Sequence, residues 1–415
     1  MRKIIDNRWL VVVGCFIGLM ANNGVISIFT FSVFLKPITE ELGWGRATIT
    51  SAMFLAGVVA VIVTPIVGKL MDIYGVRRVA LPGIVIYAAF IASFSMLQPS
   101  LVMLYTIAAC AAVAGHVQTP MGYSKVVSSR FEDYRGIALG IAVSGVGLGT
   151  VVMPKIAQFL IDHFGWRLAF VGMGITLLIF AFPMIALFLG EPNRSQTGRA
   201  VAPPIGPDAM VIVKTDKRFY LMLGIFFFSA IAINGTITHI VAEMTDRGYS
   251  PAVATSVLSS AGFALIAGRL ASGYCLDRIF GPYVATVFFL IAATGIALLA
   301  SGVGGLPVAF AGTILCGLGL GAEGDLIPYF ISRYFGLKSF GTIYGFMIGI
   351  FSLGNGLGPF LMGVSFDKTG SYVTAAMGFE VLLLICCGLA LALGTYAFPA
   401  RRGGAAPATL AEAKS

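Results

Sequence analysis

The segment GKLMDIYGVRR, residues 68–78, has a shorter counterpart in GYCLDRIFG, residues 273–281, and the spacing between the two decides the fold. A shift of 205 residues (273 − 68) superposes eight identical pairs. In chain order, Gly68, Asp72, Gly136, Gly140, Gly149, Pro154, Asp162 and Gly165 fall on Gly273, Asp277, Gly341, Gly345, Gly354, Pro359, Asp367 and Gly370. One constant offset over so long a stretch indicates an internal duplication. The sequence therefore predicts two equivalent halves.

The composition is that of an integral membrane protein. Of the 415 residues, 58% are hydrophobic and only 11% are charged, and the mean hydropathy is +0.93. Runs of about 20 apolar residues, each long enough to cross a hydrocarbon core of about 30 Å as a helix, recur along the chain. There are twelve, near residues 9–34, 47–69, 78–97, 101–124, 136–161, 167–190, 219–242, 252–275, 283–303, 306–331, 341–364 and 372–398. We predict an all-α membrane protein with six helices in each half and no room for a soluble catalytic domain.

The distribution of basic residues predicts the orientation in the membrane. The formal net charge is +9, and 20 of the 27 Lys and Arg lie on the side that holds both termini, against five on the other side. The remaining two, Lys155 and Arg269, lie within spans. This positive-inside pattern predicts cytoplasmic termini, and the first span is interpreted as a retained helix rather than a signal peptide. Nucleic acid is not expected as a partner, because no aromatic stripe is interleaved with the basic residues.

The repeat also predicts the domain boundaries. We place an N-terminal six-helix bundle at residues 1–190 and a C-terminal bundle at 219–400. Residues 191–218 are rich in Pro and Arg and lack a long apolar run, so they are the predicted cytoplasmic linker, and 401–415 are the predicted cytoplasmic tail. In such repeated architectures substrate binds near the midplane between the halves, which rock to expose it to each side in turn.

Motifs of other function classes are absent from the sequence. There is no Walker A motif, nucleophile elbow, haem motif or metal-binding cluster, and the three His are scattered. The six Cys suit neither a metal site nor a disulfide framework and are interpreted as small core residues. We therefore expect no enzymatic activity, no cofactor and no metal. A secondary transporter is favoured, and concentrative uptake would separate it from a channel, an enzyme or a sensor of the same fold.

Arg269 is the most informative single residue, because it lies within the apolar run SSAGFALIAGRLASGYCLDRIFG, residues 259–281. An Arg at the bilayer centre costs about 2.5–3.5 kcal/mol on insertion scales. Arg269 lies eight residues before Asp277, about 12 Å deep by helical rise, where snorkelling is difficult. Its planar, permanently charged guanidinium matches a carboxylate. We expect Arg269 either to bind a carboxylate substrate or to form a purely structural ion pair with a protein acid.

The tenth span offers two acids at a similar depth, Glu323 and Asp325 in GLGLGAEGDLIPYF. They suggest a competition in which Arg269 pairs with one of these carboxylates when the site is empty and with a substrate carboxylate when it is loaded. The released acid then takes up a proton. Glu323 and Asp325 are therefore the predicted proton-coupling residues.

Other polar groups within the spans each have two interpretations. Asn234 and Asn355 either line the transport route or hold helices together. His239 and Glu243, one turn apart near the end of the seventh span, form either an outer gate or a solvated helix end. Small residues spaced four apart in the fifth and eleventh spans are interpreted as packing surfaces between helices.

The segment 68–78 and its repeat resemble the cytoplasmic loop signature of the major facilitator superfamily, and the resemblance covers essentially the whole chain. More narrowly, FSVFLKPITEELGWGRATITSAMF (31–54) and GLGPFLMGVSFDKTGSY (356–372) are similar to motifs of the monocarboxylate porter family, with its bacterial lactate and oxalate–formate transporters. The resemblance implies twelve transmembrane helices in two six-helix repeats, the major facilitator fold.

The two loops are expected to act as gates. The residues concerned are Asp72, Arg77, Arg78, Asp277 and Arg278. The acidic residue can accept hydrogen bonds from the amides at the start of a neighbouring helix, while the arginines find carboxylates or lipid headgroups. Such contacts latch the cytoplasmic face in one state and break in the other. The alternative is a turn with snorkelling basic residues.

The resemblance also implies a binding site around Arg269, which is similar in position to the arginine of the eighth helix that binds the anion in monocarboxylate transporters. Leu265 stands where the animal members carry a proton-coupling aspartate, so that site is not carried over and Glu323 and Asp325 are the expected replacement. The positions around Phe351 lack the lysine of the oxalate–formate exchangers, which favours a monoanion over a dianion.

Three further residues carry roles that the resemblance implies. His116 and Gln118 resemble a polar cluster in the fourth helix of bacterial lactate transporters, and they face either the cavity or another helix. Lys36 resembles a lysine that is a first contact for the anion, and its alternative is an interfacial lysine before Pro37. With Asn234 and Asn355, these are the predicted substrate-binding residues besides Arg269.

The functional prediction is proton-coupled transport of a monocarboxylate such as lactate or pyruvate by alternating access. The alternatives are an organic-anion exchanger of the oxalate–formate type and a major facilitator transporter of another small solute. The expected partners are a small carboxylate, a proton and the lipid bilayer. We expect a monomeric, multi-pass protein of the bacterial inner (cytoplasmic) membrane.

Overall fold

The computed structural model describes residues 8–131, 134–189, 207–336 and 338–396, apart from the side chains of Asp72 and Arg135. Residues 1–7, most of the predicted linker and the predicted tail at 401–415 lie outside the described residues.

Within these ranges the regular elements are helices, and eleven of them are long and apolar enough to cross a membrane. The longest, Arg135–Phe188, is two crossings, because the backbone leaves helical geometry at Gly165 (φ 74°), a conformation that glycine tolerates. The first six helices are α1 (Arg8–Leu42), α2 (Arg46–Tyr74), α3 (Val76–Ser93), α4 (Leu101–Arg130), α5 (135–164) and α6 (166–188). The other six are α7 (Lys217–Asp246), α8 (Pro251–Leu276), α9 (Gly281–Ser301), α10 (Gly305–Tyr334), α11 (Phe340–Thr369) and α12 (Val373–Leu391). The predicted twelve-helix fold is confirmed.

The first helix is longer than the sequence predicted. Its predicted end was residue 34, whereas α1 continues through Pro37 to Leu42 and stops at Gly43, which has a left-handed φ of 65°. Continuation through Pro37 follows from the amphipathic pattern of FLKPITEEL, whose apolar side remains buried at Leu35 and Ile38.

Two helices of the first half are interrupted where they face each other. α1 leaves α-helical geometry after Met20 and resumes as a π-helix at Val25–Thr30, while α4 is broken between Gly115 and Pro120. The Asn23 amide in the first break donates to the Gln118 carbonyl in the second (2.8 Å). Backbone groups that lose their helical hydrogen bonds at one break thus find a partner at the other break. Irregular backbone within a membrane requires such partners.

Buried apolar side chains form two clusters, one mostly from α1–α6 and one mostly from α7–α12. Glycines allow the helices within each cluster to approach closely. Gly149 of α5 lies against the Met20 carbonyl of α1, and its repeat counterpart Gly354 of α11 lies against the Phe227 carbonyl of α7. The interpretation of these glycines as packing surfaces therefore matches their contacts.

Replacing Gly149 with leucine is expected to prevent correct folding of the first half. A Cβ at this position would overlap the α1 backbone, which cannot move aside like a flexible side chain. Overpacking typically costs about 1–3 kcal/mol, and a backbone obstacle lies at or above the top of that range. Thermal unfolding and size-exclusion profiles in detergent measure the effect. Gly140→Leu on the same helix is the matched control, because its Cβ would meet open space. Equal stability of the two variants would contradict the packing argument.

Candidate functional site

Arg46, the first residue of α2, joins the two halves at the end of the molecule that carries the α1–α2 loop, hereafter the closed end. Its Nη2 lies 2.7 Å from Oδ2 of Asp246 at the end of α7, and Lys36 Nζ lies 3.1 Å from Oδ1 of the same carboxylate. The guanidinium carbon lies 3.8 Å from the centre of the Phe366 ring. The side chains of Arg46 and Asp246 are 8% and 26% exposed, so water screens this ion pair less than a fully exposed surface pair.

Asp367, at the end of α11, caps α2 across the same interface. Its carboxylate accepts hydrogen bonds from the backbone amides of Arg46 (2.9 Å) and Ala47 (2.8 Å). The first amides of a helix lack partners within it, and a carboxylate there also complements the helix dipole. The repeat counterpart Asp162 instead accepts a hydrogen bond from Gln158 within α5 (2.7 Å). The two halves are therefore not equivalent at the closed end.

Contacts between the halves run from the closed end to the middle of the helices. Gly356 of α11 packs on the Met53 carbonyl of α2, and the Ser259 hydroxyl of α8 donates to the Val151 carbonyl of α5 (3.1 Å). At the opposite end, which carries the α2–α3 loop at Gly75 and is hereafter the open end, no described hydrogen bond or ion pair joins the halves. Among the described residues, the hydrogen bonds and ion pairs between the halves are therefore confined to the closed end and the middle of the helices.

Arg269 lies on the open-end side of α8, and its ionic partner is Asp325 of α10. Arg269 Nε is 3.6 Å from Asp325 Oδ1, which is longer than a hydrogen bond, and this Nε has no hydrogen-bond partner. Ser272 Oγ lies 3.4 Å from the other carboxylate oxygen. The side chains of Arg269 and Asp325 are 26% and 31% exposed. The Arg269 side chain is thus partly accessible, although its Nε atom is buried, and its contact with Asp325 is loose.

Glu323 is separated from this pair. It is fully buried, the Ser229 hydroxyl of α7 donates to its Oε1, and its Oε2 has no hydrogen-bond partner. Two positions along a helix correspond to a rotation of about 200°, so Glu323 and Asp325 point to different neighbours. The structure therefore splits the two predicted proton-coupling residues, with Asp325 beside Arg269 and Glu323 between α7 and α10.

The predicted polar cluster of α4 lies at the break in that helix. Gln118 is fully buried; its Nε2 donates to the Gly18 carbonyl of α1 (2.8 Å) and its Oε1 accepts from the Tyr123 hydroxyl (2.9 Å). His116 Nδ1 lies 2.6 Å from the Ala112 carbonyl, and the residue is largely buried. The amide of Gln118 is thus engaged in holding α1 to α4, which is the geometry of its second interpretation.

The other predicted substrate-binding residues are engaged within the protein. Asn234 Nδ2 donates to Asn355 Oδ1 (2.7 Å), so this pair holds α7 to α11. Asn234 is buried and Asn355 is half-buried. Lys36, expected as a first contact for an anion, is paired with Asp246 at the closed end. Roles of these residues in binding stay predictions.

The interpretation of His239 and Glu243 as a solvated helix end is wrong. Both side chains are buried, because α1 continues to Leu42 and covers this end of α7. His239 Nε2 lies 3.0 Å from the Pro359 carbonyl of α11, and Glu243 forms an ion pair with Arg247 (2.5 Å). Both residues therefore belong to the closed end, beneath the contacts of Arg46.

The predicted gating residues of the open end lie at the surface. Four of the five side chains are exposed, those of Arg77, Arg78, Asp277 and Arg278. The side chain of Asp72 lies outside the described part. The Arg278 guanidinium carbon lies 3.6 Å from the centre of the Tyr274 ring in its own helix. Within the described part, these four side chains make no ion pair between the halves, and the gating role of the loops stays a prediction.

Sequence reasoning missed the contacts at the closed end. Arg46, Asp246 and Asp367 were not singled out as a group, since they come from three helices far apart in the chain. One signal was present: Asp367 belongs to the repeat, although its counterpart Asp162 has a different partner. Ser229 and Ser272, whose hydroxyls lie beside the acids of α10, carried no signal in the sequence.

Comparisons with known proteins agree on one family. A sequence profile described as Major Facilitator Superfamily matches residues 13–359. The chain is 27% identical to monocarboxylate transporter 13 of Bos taurus over 406 residues, covering 93% of this chain and 89% of that protein. It is 26% identical to the uncharacterised MFS-type transporter YhjX of Escherichia coli, covering 82% and 85% of the two chains.

Solved structures of low sequence identity share the fold. The nucleoside transporter NupG superposes with a TM-score of 0.74 at 14% identity, covering 93% of this chain and all (100%) of that one. A bacterial homologue of the human lysosomal transporter Spinster, in an inward-facing and unoccupied conformation, gives 0.67 at 18% identity and covers 93% and 96%.

The predicted resemblance to the major facilitator superfamily and to its monocarboxylate porters is confirmed by these comparisons. The profile, the relatives and the twelve-helix fold all indicate a multi-pass membrane transporter and not an enzyme. With most of its length matched by the profile, the chain belongs to the major facilitator superfamily.

Proposed function

We propose that this chain transports a small monocarboxylate, such as lactate or pyruvate, together with a proton by alternating access. The observation that carries the proposal is the state of Arg269, a charged group within a span whose Nε has no hydrogen-bond partner and lies 3.6 Å from Asp325. A guanidinium that is partly accessible and loosely paired can present its terminal nitrogens to a carboxylate for two hydrogen bonds. The similarity to proteins named monocarboxylate transporters supports the same substrate class.

The proposal includes an orientation. The excess of basic residues on the side of both termini supports cytoplasmic termini in a bacterial inner membrane. The open end then faces the cytoplasm and the closed end faces outward, so the described conformation is an inward-open state of a monomer. The two predicted six-helix bundles, 1–190 and 219–400, are the parts that rock against each other.

In the proposed cycle a substrate carboxylate competes with Asp325 for Arg269. Binding of the substrate frees the Asp325 carboxylate, which then takes up one proton and becomes neutral, so that no unpaired negative charge remains within the span. When the substrate leaves, Asp325 gives up the proton and pairs with Arg269 again. Access from the outer side requires the Arg46 contacts to Asp246 and Asp367 to break while the open end closes.

The separation of Asp325 from Glu323 predicts different behaviour of two amide variants. Asp325→Asn is expected to keep exchange of substrate for substrate but to reduce proton-driven accumulation at least about tenfold, because an amide cannot carry the proton. Glu323→Gln, which lies away from Arg269, is expected to keep accumulation. Counterflow and gradient-driven uptake in proteoliposomes measure the two activities. The opposite pattern would move the proton site to Glu323.

The substrate class is tested with a panel of labelled solutes in proteoliposomes with an imposed inward proton gradient. Lactate, pyruvate, a short hydroxy acid, oxalate, a sugar and a cation are compared with and without an ionophore that collapses the gradient. Accumulation of a monocarboxylate that disappears with the ionophore supports the proposal. Accumulation of the sugar or the cation, or oxalate exchange that ignores the gradient, would contradict it.

A further inference from the structure

Lys155 lies on a surface of α5 that faces lipid. Two other surfaces of this helix are occupied, since Gly149 packs on α1 and Gly147 packs on α8. Between them runs an exposed stripe: Ile137, Ile141, Lys155 and Phe159. The stripe stays exposed at Phe159 (56%), close to the closed end, where the halves are in contact. It therefore faces outward and not into the space between the halves.

The ammonium of Lys155 has no counter-charge in the protein. Over the described residues no carboxylate lies within ion-pair distance of it. Asp162, two turns further along α5, accepts a hydrogen bond from Gln158. A lysine in contact with lipid costs about 2.5–3.5 kcal/mol at the centre of a helix on insertion scales, so it needs either the interface or an anion.

The side chain of Lys155 can extend toward the lipid headgroups. Lys155 lies ten residues before Gly165, about 15 Å from the closed end of the helix. Because α5 is about 45 Å long and a hydrocarbon core is about 30 Å thick, part of that distance is already outside the core. Arg269 is held beside Asp325 within the bundle, whereas Lys155 is exposed and has no ion pair among the described residues, so its long side chain is free to extend toward the interface.

An open, shallow apolar groove lies beside Lys155. Its volume is about 410 Å³, and besides the lysine it is lined by Val151, Val152, Ile156 and Phe159, side chains that suit contact with an acyl chain. The Val151 carbonyl also accepts a hydrogen bond from the Ser259 hydroxyl of α8. The groove therefore borders the contact between α5 and α8, which is a contact between the halves.

The second half has no equivalent of this feature. The repeat counterpart of Lys155 is Phe360 of α11 (155 + 205), which stacks near Phe54 of α2 with ring centres 6.2 Å apart. The α2–α11 contact is thus closed by aromatic rings, whereas the α5–α8 contact carries a cation above an apolar groove.

From these observations we infer that Lys155 and its groove form a binding site for one anionic phospholipid, with the phosphate at the lysine and an acyl chain against Val152 and Phe159. A cation without an ion pair in the described part of the chain, which can extend toward the headgroups and lies beside an apolar groove, complements a lipid that joins a negatively charged headgroup to acyl chains. The inference is independent of the transported substrate.

Binding of phosphatidylglycerol to the purified full chain, measured by native mass spectrometry and by thermal stabilisation in detergent, tests the site. Lys155→Gln is expected to raise the apparent Kd for this lipid about fivefold, because one basic residue near a lipid phosphate contributes about that factor. Lys155→Arg, which keeps the charge, is expected to stay within about twofold of wild type. Lys368→Gln, an exposed lysine at the end of α11, is the matched control and should not change binding.

Two further arms separate the lipid from other ligands. Phosphatidylcholine, with no net charge, and free glycerol phosphate, with no acyl chain, should each bind much more weakly than phosphatidylglycerol. Val152→Trp, which fills the groove and leaves the charge in place, should weaken phosphatidylglycerol binding as well. Unchanged lipid binding by Lys155→Gln, or equal binding of free glycerol phosphate, would overturn the inference.

Discussion

Replacement of Arg269 by alanine is expected to reduce carboxylate uptake at least about a hundredfold without preventing membrane insertion. The loss follows from the proposed pairing of Arg269 with the substrate carboxylate, which the variant removes, and the variant also leaves Asp325 without its cation. Removing one partner of a hydrogen-bonded charge pair costs about 2–5 kcal/mol, and a hundredfold change corresponds to about 2.7 kcal/mol. Initial rates of labelled uptake in proteoliposomes, normalised to inserted protein, measure the effect.

Arg167→Ala is the matched control for this experiment. It removes an arginine that also forms an ion pair, but with Glu41 within the first half and away from Arg269. Uptake should fall far less in the control than in Arg269→Ala. Equal rates in wild type and Arg269→Ala would assign Arg269 to the purely structural ion pair with Asp325.

Arg46→Ala is expected to open the closed end. Arg46 pairs with Asp246, and its ring contact with Phe366 adds a second link between the halves. Loss of a hydrogen bond to a charged group costs about 1.5–3 kcal/mol, and about 2 kcal/mol shifts a two-state equilibrium about thirtyfold. The distance distribution between spin labels at Glu40 and Lys368, in a background without the native cysteines, should broaden toward longer distances.

The control for Arg46 lies at the same end but within one half. Arg167 pairs with Glu41 (2.9 Å) and donates to the carbonyls of Ser95 and Leu97, all within the first half. Arg167→Ala removes a comparable ion pair and should leave the distance between the labels unchanged. Identical broadening in both variants would show that the closed end responds to any loss of charge and not to the link between the halves.

Much of the fold could be predicted from the sequence, because hydropathy reports burial in lipid directly. The apolar runs gave the number of helices, and the offset between Gly149 and Gly354 indicated the duplicated packing that the structure shows. The end of α1 was less predictable, since a proline within an amphipathic segment ends some helices and is accommodated in others.

The site was harder to predict, because distance in sequence says little about direction around a helix. Glu323 and Asp325 lie at nearly the same depth, yet the structure places only Asp325 beside Arg269, while Glu323 contacts Ser229. The pattern of charges in the tenth span gave no basis for choosing between them, since a helix that is apolar on several sides has no single polar face.

The closed end depends on the relative position of the two halves, which local sequence does not encode. A solvated helix end was one of the two interpretations of His239 and Glu243 in the sequence, but α1 covers both residues in the structure. The cap of α2 by Asp367 likewise exists only while the halves meet at that end.

The most direct test of the central claim, that Arg269 recognises the carboxylate of the substrate, is equilibrium binding of lactate and of its neutral amide, lactamide, to wild type and to Arg269→Met. The two ligands share their shape and differ in charge, and the variant keeps much of the side-chain length but has no charge. We expect wild type to bind lactate at least about a hundredfold more tightly than lactamide, and Arg269→Met to lose most of that preference. A variant that still prefers lactate by the same factor would place the carboxylate elsewhere and contradict the proposed site.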